Sequence, residues 1–457
     1  MSGIGFSGVS NFAYTAVAMA VGVVASGGVS GVGVVLSSGL VATLDLNFAG
    51  TAALPSTVTF SRGTNATYVN SAGAIQLTTS IDSPRFDYDP ITLACKGLLI
   101  EEARTNSIRN NTMQGAVVGT PGALPTNWGF SSGTGTILSQ VVAVSVENGI
   151  AYSDVRFYGT NNSGATVYPT LSFETIGNIA VSSAQKWAPS IYLKFIDGTF
   201  KSFNIIINNY NSSSGYIGSS IAIGIASAPV GTLITQRLSG SITIDASTVF
   251  IVPVLAFSVI NGVSIDFTIR IGLPQLELGA FATSVIPTTA AAATRNADVA
   301  VMTGTNFSSW YNQTEGTFVT QVDTYASGLN SGVLELDDNT ASNALRIFIG
   351  GSVSPVFDVT TANVNQTYLT PLPSYSPNVP NKVSSAYAVN DFASTSSGGI
   401  VVTDTLGTLP STITRALLGT GLAGVTNLNG HIARITYYPT RLPNATLQAL
   451  TARSTTG

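Results

Sequence analysis

Residues 190–207 read SIYLKFIDGTFKSFNIII, and their two-residue rhythm decides the fold. Ile191, Leu193 and Phe195 fall on one side of an extended chain, and Tyr192 and Lys194 on the other, because successive strand side chains point to opposite faces. Asp197-Gly198 is turn chemistry, so residues 200–207 are expected to return as the second arm of a hairpin. The same rhythm continues in SITIDA (241–246), VFIVPVLAF (249–257) and SIDFTIRIG (264–272). Short strands at this spacing, separated by Gly, Ser and Asn, predict a two-sheet jelly roll over 113–289.

On the C-terminal side, GTFVTQVDTYA (316–326), ALRIFIG (344–350), KVSSAYAVN (382–390), GGIVVTD (398–404) and HIARITYYP (431–439) describe a second sandwich over 299–457. A short helix over 444–452, opened by Pro443, closes the chain. The small-residue run 288–300 reads as the linker. Upstream, LDLNF (44–48), TVTFSR (57–62), ATYVN (66–70) and AIQLTT (74–79) form a small β-region over 44–112. The turn Ser71-Ala72-Gly73 makes a hairpin of its last two runs. The expected class is therefore all-β, with two β-sandwich modules in series after an N-terminal segment and a small β-region.

That segment, 1–43, has no charged residue and is broken by Gly22, Gly27, Gly28, Gly31 and Gly33. It lacks the basic start of a secretion signal and the flanking anchors of a membrane helix. Its glycines allow close backbone approach, so it is read first as an attachment segment that packs against partner proteins, with membrane insertion and a weakly ordered leader as the alternatives.

Composition restricts the chemistry. The 457 residues include 18 Lys and Arg, 22 Asp and Glu, one histidine (His431) and one cysteine (Cys95), where an ordinary domain carries about a quarter charged residues. A net charge of −4 with dispersed cations excludes nucleic acid as a partner. The single cysteine excludes an internal disulfide. The one dense charge cluster runs from Asp82 to Arg109. Within it Arg85, Asp87, Glu101, Glu102 and Arg104 are expected to form ion pairs that fix the small β-region against a neighbour.

Three stretches resemble a family of tailed-bacteriophage virion proteins, the head-spike, head-fibre or tail-fibre components. They are LDLNF…TFSRGTNATYVNSAGAIQ…PRFDYDP…CKGLLIEEARTN (44–106), IGLPQLELGAFATSVIPTTAAAATRNAD (271–298) and GHIARITYYPTRLPNATLQALT (430–451). The third also resembles the closing strand and helix of concanavalin-A-like, laminin-G-like modules. The resemblance implies a carbohydrate-binding-module-like jelly roll at 113–289 and a lectin-like sandwich at 299–457. It implies a homotrimer on the virion surface, on head or tail, joined to other virion proteins through its N-terminal region and facing host surface glycans.

No metalloprotease or phosphate-loop motif occurs, no G-x-S-x-G nucleophile elbow stands in a credible context, and no convergent pair of carboxylates is legible, so the chain is expected not to be an enzyme. No cofactor is expected apart from calcium, which stays open because Asp323, Asp337, Asp338 and Asp391 offer the oxygen ligands it takes. For glycan binding the first candidates are Trp310, Tyr311 and Asn312, a ring pair beside an amide. Trp128 and Trp187 stand at the edges of the middle sandwich. The expected function is a fibre or spike subunit of a phage particle. The alternatives are a secreted bacterial glycan-binding adhesin and a glycan depolymerase spike.

Overall fold

The computed structural model describes residues 39–133, 136–326, 328–421 and 427–452. The attachment segment read at 1–43 thus lies outside the described residues as far as residue 38. Its end is anchored: Leu40 and Ala42 pack with Tyr438, Leu442 and Leu447 under the closing helix Asn444–Thr451.

The fold is all-β and consists of two sandwiches, one inserted in the other. The base sandwich has an eight-stranded sheet in the order Val402–Asp404, Asp391–Ser396, Asn381–Ala388, Glu315–Val322, Gly430–Tyr438, Cys95–Ile100, Phe86–Tyr88, with Leu44–Leu46 also paired to Gly430–Tyr438. Against it lies a seven-stranded sheet in the order Thr59–Ser61, Val299–Thr303, Arg415–Leu418, Ser331–Asp337, Ala344–Ile349, Pro355–Thr361, Val364–Leu369. Phe48, Leu98 and Ile100 share its core with Phe318, Leu336, Phe357, Tyr387 and Tyr437.

The unit expected over 44–112 is therefore not set apart. Its strands, all three residues long except Cys95–Ile100, cannot bury an apolar face by themselves, and Phe48, Phe60, Leu98 and Ile100 are covered only by entering the base sandwich. The chain then leaves the base at Arg104–Asn106 and returns at Ala293–Arg295. These two strands pair antiparallel as a neck, with Thr105 and Thr294 hydroxyls 2.7 Å apart.

Between the two crossings lies the middle sandwich. One sheet orders Arg237–Ser239, Lys186–Gly198, Ser264–Leu278, Ile150–Thr160, Leu138–Glu147. The other orders Tyr216–Ile225, Phe203–Tyr210, Phe250–Ala256, Thr170–Ser172, Gly129–Ser131. Ile191, Leu193, Phe203, Ile205, Ile207, Leu255 and Phe267 fill the space between them.

The hairpin expected at Asp197-Gly198 does not form. Lys186–Gly198 stays paired with Ser264–Leu278 as far as Gly198, and Gly198, at φ +94°, lies where a Cβ would fall onto the Asp266 carbonyl. The chain then crosses to the opposite sheet, with Phe195, Phe200 and Phe203 stacked edge-on at 5.6 and 5.3 Å along the crossing. Burial of three rings between the sheets outweighs a local turn preference. The hairpin around residues 71–73 does form, with Thr67–Val69 paired to Ile75–Leu77.

Candidate functional site

In Phe203–Tyr210 the alternation that buries Phe203, Ile205 and Ile207 turns Asn204, Ile206 and Asn208 to the outer face. Across the sheet Asn204 stands beside Ala256, and Asn208 beside Val252 and Ser219. Small residues at those partners leave a groove of about 500 Å³. Tyr216 on one edge strand and Tyr168 before the strand Thr170–Ser172 flank it, and they are 60% and 67% exposed. Ile221, 65% exposed, lines the same hollow. Among the described residues no charged side chain lines this groove. The Asn204 amide and the Tyr168 hydroxyl have no hydrogen-bond partner among the described residues. Two exposed rings, apolar patches and the unpaired Asn204 amide can take up the apolar face and the hydroxyls of a sugar. None of these residues stands out in a motif. The legible signal was the amide at outward positions of FNIIINN, where an exposed strand face more often carries charge.

The candidates Trp310, Tyr311 and Asn312 do not form a site. Trp310 is 5% exposed and packs edge-on against Phe307 and Tyr437 at 5.1 Å, with its Nε1 donating to the Asn306 carbonyl. Tyr311 packs against Phe307, and burial pushes its hydroxyl far above the ordinary range. The Asn312 Nδ2 donates to the Pro439 carbonyl, and its Oδ1 accepts from the Thr314 N–H and hydroxyl. No ring face is open to a sugar, because a one-turn helix at Thr305–Ser308 carries the pair into the base core. Trp128 and Trp187 are also buried, bonded to the Asn110 carbonyl and to Gln185.

The charge cluster lies at the root of the neck. Arg85 Nη1 donates to Glu101 at 2.7 Å and Nη2 to Asp298 at 2.5 Å, and all three side chains are fully buried. Arg62 donates to the other Asp298 oxygen at 2.9 Å, and Arg295 lies 3.1 Å from Glu101. Burial works against the Glu101 charge, but Arg295 and Arg85, with the N–H and hydroxyl of Ser284, hold its carboxyl well below the ordinary range. Glu102 pairs with Arg104 at 2.5 Å, and the Arg104 guanidinium covers the Phe281 ring at 4.8 Å. Arg62, Arg295 and Asp298 were missing from the sequence reading because they lie outside the charge-dense segment.

Asp87 belongs to another group. It accepts from His431 Nε2 at 3.0 Å, while His431 Nδ1 lies 2.8 Å from Asp323. Burial opposes a charged ring, yet the two carboxylates outweigh it and raise the His431 pKa to about 9. The four aspartates considered for calcium do not converge. Asp323 serves His431, Asp337 pairs with Arg415, Asp338 bonds Thr340 and Asn343, and Asp391 pairs with Arg441. Among the described residues no group of three or more metal-ligating His, Cys, Asp or Glu side chains comes together.

No protein-family profile and no curated sequence matches the chain. Solved structures do match. The Ruminococcus gnavus IT-sialidase CBM40 bound to α2,3-sialyllactose is 13% identical, covers 32% of this chain and 88% of its own, and has a TM-score of 0.30. Trypanosoma rangeli sialidase in complex with sialic acid is 10% identical and covers 68% of this chain and 61% of its own, with a TM-score of 0.27. The same sialidase with a difluoro-KDN ligand covers 75% and 56% at the same identity and score. The expectation that the chain is not an enzyme is corrected by this comparison and is not kept, since enzymes are among the chains matched over much of its length. Identities and scores this low assign no activity to this chain.

Proposed function

We propose that the chain is a glycan-contacting structural protein of a phage particle, a fibre or spike subunit on head or tail. The inserted sandwich carries the contact face and the base carries the attachment. The observation that supports glycan contact best is the uncharged groove on the outer sheet, where Tyr168, Tyr216, Asn204 and Asn208 surround a hollow of about 500 Å³. Its size suits one or two sugar units. Weak contacts of this kind become firm when several copies act together, which suits a homotrimer held to other virion proteins through the N-terminal region. The phage reading rests on the resemblance of the stretches 44–106, 271–298 and 430–451.

Titration of the full chain with neutral host-derived oligosaccharides, followed by calorimetry, tests the face. Tyr168→Ala with Tyr216→Ala is expected to weaken binding at least about tenfold, a loss of about 1.4 kcal/mol, without moving the melting temperature. Trp310→Ala, by contrast, removes a core ring. Binding untouched by the double change in a folded protein would remove this face from the function. Imaging of particles with antibody against the inserted sandwich tests display, and absence of the chain from the particle surface would overturn the phage reading.

A further inference from the structure

Where the two sandwiches meet, a cleft of about 370 Å³ opens beside the neck. It adjoins a second hollow of about 500 Å³ across Lys96, Tyr325 and Asn378. Three segments far apart in sequence build it: the hairpin strand Thr67–Val69, the edge strand Arg237–Ser239 and the return segment around Phe281. Unlike the sheet groove, it carries cations. Arg237 uses its Nη2 on Ser190 Oγ at 3.0 Å and the Thr283 carbonyl at 2.6 Å, and it pairs with no carboxylate among the described residues. Its guanidinium lies 5.8 Å from the Tyr192 ring, so the ring supports the plane while Nε and Nη1 remain available. Lys96 stands nearby, 34% exposed and 3.7 Å from Asp87. Asp87 also lines the cleft, and Asp89 faces Lys96 from the adjoining hollow, so Lys96 is balanced by carboxylates and Arg237 is the cation left without one. The rings of Tyr68 and Phe281 line the same cleft as Arg237.

A guanidinium fork matches a carboxylate, and ring faces match the apolar side of a pyranose. We propose that this cleft binds an acidic sugar unit, a pyranose bearing a carboxylate, with Arg237 as the carboxylate partner and Tyr68 and Phe281 as the ring contacts. The site is independent of the sheet groove.

The test titrates the full chain with cellobiouronic acid and with its neutral parent cellobiose. The acid is expected to bind at least about tenfold more tightly and to lose affinity as salt is raised. Arg237→Gln keeps the side-chain bulk and is expected to abolish the preference. Ser239→Trp, at an exposed position on the cleft wall, is expected to block both sugars without removing a bond. Tyr216→Ala, on the sheet groove, is expected to change nothing here. No binding of the acid at millimolar concentration overturns the proposal. So does equal affinity for the two sugars, or a preference that survives both Arg237→Gln and Ser239→Trp.

Discussion

Asp298 joins what the sequence keeps apart. Its carboxylate accepts from Arg62, from Arg85 and from the Glu101 N–H, with its side chain fully buried. Removing it leaves two guanidinium groups without that partner, and a broken buried pair costs about 3–5 kcal/mol. Asp298→Ala is therefore expected to lower the melting temperature sharply in a thermal scan. Arg156→Ala, which breaks an exposed pair with Asp266, is expected to leave it unmoved, and equal effects would contradict the buried-clamp account. His431 gives the second residue-scale expectation. Its pKa rises from the ordinary 6.5 to about 9 in the fold, so the stability it contributes is fully present below pH 6.5 and is lost as pH rises through about 9. Unfolding of the wild type is expected to become easier from pH 7 to pH 10, and His431→Gln is expected to flatten that slope. A charge-dense segment is visible in sequence, but its partners at 298 and 431 are not, because pairing is set by strands that meet only after folding. Trp310 shows the opposite difficulty. A tryptophan beside an amide looks the same in sequence whether the ring lies in a core or on a face.

At the scale of elements, alternation and turn residues located most strands, and the hairpin at 67–77 could be read outright. What alternation does not carry is the partner. Asp197-Gly198 resembles a hairpin turn, yet Gly198 serves a close approach to the Asp266 backbone and the chain changes sheets beyond it. Gly97 does comparable work in the base. At φ +115° it lies where a Cβ would fall onto the Ile432 carbonyl, inside the pairing of Cys95–Ile100 with Gly430–Tyr438. Gly97→Ala is expected to destabilise the protein by more than about 1 kcal/mol, measured by denaturant unfolding, whereas Gly164→Ala meets open space despite its own positive φ. A smaller cost at Gly97 than at Gly164 would show that the strand can shift without penalty.

The whole molecule is an insertion, and this was not legible. The sequence presents its pieces in series, while the contacts place Leu44–Leu46, Thr59–Ser61, Phe86–Tyr88 and Cys95–Ile100 in one pair of sheets with strands of 299–438. The stretches 44–106, 271–298 and 430–451 all contribute to that base or its neck: Glu101 and Arg104 come from the first, Arg295 and Asp298 from the second, and His431 from the third. The face proposed for glycans lies in the inserted module outside them. Fragments test the arrangement. Residues 107–289 are expected to melt cooperatively on their own, whereas 299–457 alone, lacking Leu98, Ile100 and Phe48 from its core, is expected not to. A folded 299–457 fragment with native-like β signal would overturn the shared base. The neck also has a mechanical meaning. A pull on the inserted sandwich is carried by both crossings together. One leads through Glu101 into Cys95–Ile100 of the eight-stranded sheet, the other through Asp298 into Val299–Thr303 of the seven-stranded sheet. The pull therefore tends to draw the two layers of the base apart. At the point where the two lines of force diverge, Glu101 and Asp298 exchange backbone and side-chain hydrogen bonds and share Arg85, so a rivet stands where such a seam would begin to open.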